Sequence, residues 1–161
     1  MNKLIVIDAG GAEQLEQYAT IYKKDSATLF DARRIGYNLA ETEFIMNLDS
    51  DVTIPVGYIE AALDKFEENP KLAVISIFFE DVTHNAGVLE YGISIWRTAI
   101  VKELYDYFPK SYSAQVIQVA PNRFTGTKFP YCECSYMFER ARGAGYQIDT
   151  LPIRAKHLRG K

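Results

Sequence analysis

The eight residues "LAVISIFF" (72–79) set the tightest limit on how this chain can fold. A strand with one wet face alternates apolar and polar residues, whereas this run is apolar at nearly every position, so both of its faces must be covered. The surrounding chain supplies helices to cover them. Pro55 opens the amphipathic stretch "VGYIEAALDKFEENP", which ends at Asn69-Pro70. "TAIVKELYDYF" (98–108) and "CSYMFERARGAG" (134–145) read as helices too, the second stopping at Gly145. Residues 12–23 place Leu15, Tyr18, Ala19 and Tyr22 on one helical face, and "ARRIGYNLA" (32–40) reads as a short helix that Asp31 can cap. Strand candidates fall at 3–8, 27–30, 43–48, 91–96 and 146–153. Strands and helices alternating at this spacing predict an α/β fold, with a mainly parallel central sheet flanked by helices.

At 161 residues the chain is the size of a single domain, 1–161, with a substantial core. Its formal charge of −3 gives no electrostatic footprint for a nucleic-acid partner. No apolar run reaches the roughly 18–20 residues of a membrane span, so no transmembrane segment is expected. The apolar start "MNKLIVIDAGG" lacks the length and cleavage site of a secretion signal and reads better as a strand. Cys132 and Cys134, in "YCECS", are too close for the usual CxxC pair. Reduced thiols fit a cytoplasmic protein, either free or peripheral to a membrane.

In parallel α/β sheets, ligands bind at the carboxyl ends of strands. There this chain places acids: Asp8 after the first strand, then Asp49 and Asp51 after "EFIMNL". Side chains at i and i+2 of an extended segment point the same way, so Asp49 and Asp51 would repel each other unless something positive lay between them. Turn formation is the plainer explanation of the same residues.

Together, "IDAGG" and "DARRIGYNLAETEFIMNLDSDVTIP" resemble the nucleotide-binding half of a family 2-type glycosyltransferase of the GT-A fold. Asp8 corresponds to that family's first acidic position, Arg33 and Arg34 to its helix motif, and Asp49-Ser50-Asp51 to its DxD. Further on, "YGISIWRTAIVKEL" is similar to the acceptor-side strand, and "ECSYMFERARGAGYQIDTLPIRAKHLR" to a segment in which Glu133, Arg140, Gly145 and His157 are in register. The chain looks like a compact form lacking the family's usual first strand, and Cys134 stands where inverting members carry their base aspartate. The resemblance divides the domain at about residue 79, with a nucleotide-binding half at about 1–79 and an acceptor-side half at about 80–161.

What the resemblance implies is a metal-dependent hexosyltransferase-type enzyme. It would move a sugar from a nucleotide-diphosphate donor to a hydroxyl of a glycan, protein or lipid acceptor. Mn²⁺ or Mg²⁺ would be held by Asp49, Asp51 and His157, with Asp51 the direct ligand. Asp8, Arg33, Arg34 and Asp49 would contact the nucleotide, Glu133 would be the general base, and Tyr91, Trp96 and Arg97 would shape the acceptor side. The loop 109–131 would close as a lid. Two other readings compete. "LDSDVTI" also fits a haloacid-dehalogenase-like phosphatase with Asp49 as nucleophile and Ser76 supplying its second motif, and a non-catalytic sugar-nucleotide binding module would keep the same strand-end acids.

Overall fold

The computed structural model describes residues 4–8, 13–24, 29–80, 90–106 and 133–158. Two sheets are present among them. A parallel pair joins β1 (Ile5–Asp8) to β2 (Ile21–Lys24). The main sheet has five strands: β3 (Phe44–Met46), β4 (Val52–Thr53), β5 (Leu72–Phe79), β6 (Ile95–Arg97) and β7 (Gln147–His157), in spatial order β3-β6-β5-β7-β4. β5 and β7 pair in parallel, while β6 runs against both β3 and β5 and β4 runs against β7. The sheet is therefore mixed. β3, β5 and β7 share one direction, which gathers their carboxyl ends at one edge, and the parallel character expected from the sequence resides in these strands and in β1/β2.

β5 is covered on both faces, as its composition requires. Ala73 and Val74 join a cluster with Tyr37, Trp96, Ile100, Leu104, Met137 and Phe138, contributed mostly by α1 (Leu29–Leu39), α3 (Thr98–Asp106) and α4 (Glu133–Gly143). Leu72, Ile75, Ile77 and Phe79 join the other cluster with Tyr58, Ala62 and Phe66 of α2 (Tyr58–Glu68). Leu72, Ile75 and Ile77 are at most 2% exposed, and each such side chain stabilises the fold by about 1.5–3 kcal/mol on burial. The α4 terminus follows from Gly145: its φ of 85° lets Tyr146 N–H reach back to Ala141 O at 3.0 Å, closing the last turn.

Several local expectations give way. Residues 12–23 do not form one helix; Glu13–Tyr18 is a 3₁₀ turn and Ile21–Lys24 is a strand, because Thr20, Ile21 and Tyr22 favour extended backbone and β1 is beside them to pair with. Leu29 and Phe30 begin α1 instead of ending a strand, so Asp31 lies inside the first turn, 3.0 Å from Arg34, and is not the cap. Tyr91–Ile93 form a 3₁₀ turn ahead of β6. β7 continues past the expected end at residue 153 to His157. The lid expected over 109–131, together with His84 and Cys132, lies outside the described residues.

Candidate active site at the carboxyl edge of the sheet

After β3 the chain does not run on extended. Val52 N–H donates to Asp49 O at 3.2 Å, which folds Asp49-Ser50-Asp51-Val52 into a four-residue turn. The expectation that Asp49 and Asp51 point the same way needed an extended backbone and does not apply here. Asp49 instead meets a cation from another element, as Arg33 Nη2 donates to its Oδ1 at 3.0 Å. The guanidinium also lies 4.9 Å from the centroid of the Tyr91 ring. Arg34, one residue on, turns to Asp31 and the Tyr105 ring. Of the two adjacent arginines, Arg33 is the one at the strand-end acids.

The same edge receives His157. Val52 pairs with His157 across β4 and β7, Leu158 N–H donates to Asp51 O at 2.6 Å, and the His157 ring lies 3.8 Å from that of Phe79. Among the described residues, no side-chain hydrogen bond or ion pair engages the Asp51 carboxylate. In kind, carboxylate donors suit Mn²⁺ or Mg²⁺, and an imidazole is tolerated by Mn²⁺. The described residues do not gather three acidic, histidine or cysteine side chains into a metal cluster. The β4/β7 register sets Val52 opposite His157 and Asp51 opposite Leu158, so it brings the Asp51 and His157 backbones near each other without gathering their side chains.

The other expected site residues are scattered. Asp8 ends β1 and Glu133 begins α4, but their side chains lie outside what is described. β1 belongs to the separate two-stranded sheet, so the three aspartates do not share one hydrogen-bonded edge. Trp96 is fully buried, stacked on Phe138 at 5.6 Å, and donates to Ser94 Oγ at 2.8 Å, so it has no face to offer a sugar. Arg97 pairs with Phe44, at the amino end of β3 and thus opposite Asp49. There its guanidinium binds Leu72 O, Phe66 O and Glu43, and it holds β6 to its neighbours. Ser76 is fully buried and donates to Glu90 O, so it presents nothing to a phosphate, which removes the second motif of the phosphatase reading.

What lies under Arg33 has no signature in the local sequence. Tyr37, one helical turn on, donates to Asn47 Oδ1 at 2.8 Å and meets the Tyr91 hydroxyl at 2.7 Å. Burial raises the Tyr37 hydroxyl from its ordinary 10.0 to about 12, and raises Tyr91 well above the usual range.

A mixed α/β sheet with acids and a paired arginine at its carboxyl edge defines a GT-A-like domain. The profile described as "Glycosyl transferase family 2" matches residues 3–135, and the chain belongs to that family. Among solved structures it is similar to S. aureus TarS 1-349, with TM-score 0.62 and 17% identity, covering 96% of this chain and 50% of that one. It is also similar to the bifunctional IspDF from Campylobacter jejuni, with TM-score 0.50 and 13% identity, covering 94% of this chain and 37% of that one. At such identities the likeness speaks of the fold alone, and the chain spans about half the length of the TarS chain. No curated protein sequence matches. Among the described residues, no helix is long and apolar enough to cross a membrane.

Proposed function

We propose that this domain transfers a sugar from a nucleotide-diphosphate sugar to an acceptor hydroxyl, aided by Mn²⁺ or Mg²⁺. The observation that carries the reading is the Arg33–Asp49 pair at the carboxyl edge of the sheet, in a chain of glycosyl transferase family 2. Asp51, His157 and Asp49 would hold the ion, which when bound supplies positive charge to the leaving diphosphate. Arg33 is placed to exchange its carboxylate partner for a phosphate oxygen, since the guanidinium fork suits either. Asp8, at the end of β1, completes the nucleotide side, whereas Arg34 is engaged by Asp31 and the Tyr105 ring. Glu133, opening α4, is the base proposed to take the acceptor proton, while Tyr91, buried with its ring beside the Arg33 guanidinium, offers no face to an acceptor and supports the nucleotide side.

The direct test incubates the protein with UDP-, GDP-, ADP- and CDP-sugars plus Mn²⁺ and a mixed acceptor panel, and follows release of nucleoside diphosphate. Release from one nucleotide class, lost in Asp51→Asn, is expected. Silence across the whole panel, with Mg²⁺ as well as Mn²⁺, would remove the transferase reading.

A further inference from the structure

Segment 91–94 lies beneath the turn that carries Asp49, and four buried groups lock it there. Tyr37 has one hydroxyl proton and gives it to Asn47 Oδ1, so in the 2.7 Å contact between the two tyrosines it is Tyr91 that donates. Asn47 Nδ2 then donates to Ser94 Oγ at 3.3 Å, and Ser94 Oγ donates to Tyr91 O at 2.7 Å. The circuit leaves Tyr91 through its side chain and returns through its backbone. All four residues are buried, at 0% to 8% exposure. Main-chain bonds from Asn47 N–H to Ser94 O at 2.9 Å and from Asp49 N–H to Gly92 O at 2.8 Å tie the same segments.

On this base Asp49 rests directly over Gly92. A Cβ at Gly92 would stand 2.0 Å from Asp49 Oδ2, 2.3 Å from its Cγ and 2.9 Å from Oδ1, so a side chain there and the carboxylate cannot coexist as placed. Backbone strain is not the reason for glycine, because the positive-φ glycines among the described residues are Gly57 and Gly145. The space is what matters. Beside it, the Tyr91 ring supports the guanidinium that binds the same carboxylate.

We propose that Tyr91-Gly92, held by the Tyr91–Tyr37–Asn47–Ser94 ring, is a positioning seat for Asp49 and Arg33, and so serves the nucleotide side of the site. The role in donor binding rests on the transferase reading, whereas the seat itself does not. The three atoms that a Gly92 Cβ would meet are all atoms that Asp49→Ala removes. Gly92→Ala, Asp49→Ala and the double variant are therefore compared by thermal melting and by calorimetry with UDP, GDP, ADP and CDP in Mn²⁺. Gly92→Ala alone should lower the melting temperature by about 2–4 °C per kcal/mol of clash, and the same change should cost nothing further once Asp49 is alanine. It should also weaken the nucleotide that binds by about tenfold, a typical coupling for residues in contact. If Gly92→Ala fails to fold and the double variant folds, that rescue is the same result. An equal melting cost in both backgrounds would overturn the seat, and unchanged nucleotide affinity in Gly92→Ala would overturn its service to the donor site. If the wild-type protein binds no nucleotide, the donor-site reading fails, while the melting comparison still decides whether Gly92 seats Asp49.

Discussion

Arg33 Nη2 stands 3.0 Å from Asp49 Oδ1, joining α1 to the turn after β3 across a part-buried gap. The Asp49 side chain is 47% exposed, so the pair contributes no more than about 1 kcal/mol to stability. Its importance lies in binding. Arg33→Gln should barely move the melting temperature yet weaken nucleoside diphosphate binding about 10- to 150-fold, the loss of a charge-assisted hydrogen bond. Arg34→Gln, its neighbour bound to Asp31, should change affinity far less. Calorimetry on the two variants separates them, and equal losses would contradict the assignment of Arg33.

Asp51→Asn keeps the side chain's size and leaves the Leu158 N–H bond to Asp51 O intact, because that bond uses the backbone. The free protein should melt unchanged, because among the described residues no side-chain hydrogen bond or ion pair of the Asp51 carboxylate is lost. Nucleotide binding that depends on Mn²⁺ should collapse. A variant that still bound Mn²⁺ and nucleotide normally would show that Asp51 serves only the turn, where asparagine does equally well.

The α/β class and β5 could be read directly from the sequence, because an unbroken apolar run has one physical solution. So could the end of α4, since Gly145 supplies a backbone conformation that other residues avoid. Residues 12–23 misled because the spacing of Leu15, Tyr18 and Tyr22 satisfies a helix as well as a turn followed by a strand, and only pairing with β1 decides between them. In the candidate site, Asp49 and Arg33 were legible as residues but their partnership was not. It depends on the turn at Asp49–Val52 and on α1 crossing that turn. Trp96 and Arg97 looked like acceptor residues because strand order alone does not tell which end of an antiparallel β6 faces the acids. Gly92 and the buried tyrosine ring leave no local signature at all.

Tyr37→Phe should cost about 1–3 kcal/mol, because it leaves Asn47 Oδ1 buried without its donor. Alkaline pH should act through the same group. Its hydroxyl is raised from 10.0 to about 12 in the folded protein by burial, so the unfolded chain loses that proton first. The stabilisation is complete below about pH 10 and disappears as pH rises toward about 12. Urea melts between pH 9 and 12 should show stability falling with pH, less steeply in Tyr37→Phe. An identical slope in the two proteins would contradict the burial of this hydroxyl.

Trp96 belongs to the core, so Trp96→Ala should destabilise by about 3–5 kcal/mol. Trp96→Phe, which retains an aromatic ring against Phe138, should lower the melting temperature while leaving acceptor KM unchanged. A rise in acceptor KM without loss of stability would instead place this ring at the acceptor.

A donor site at the carboxyl edge of the sheet is tested by melting the protein with UDP, GDP, ADP and CDP, each with and without Mn²⁺ or Mg²⁺. One nucleotide should stabilise the fold only when the cation is present, by about 2.7 kcal/mol at one hundred times its Kd. No shift from any nucleotide with either cation would contradict the account.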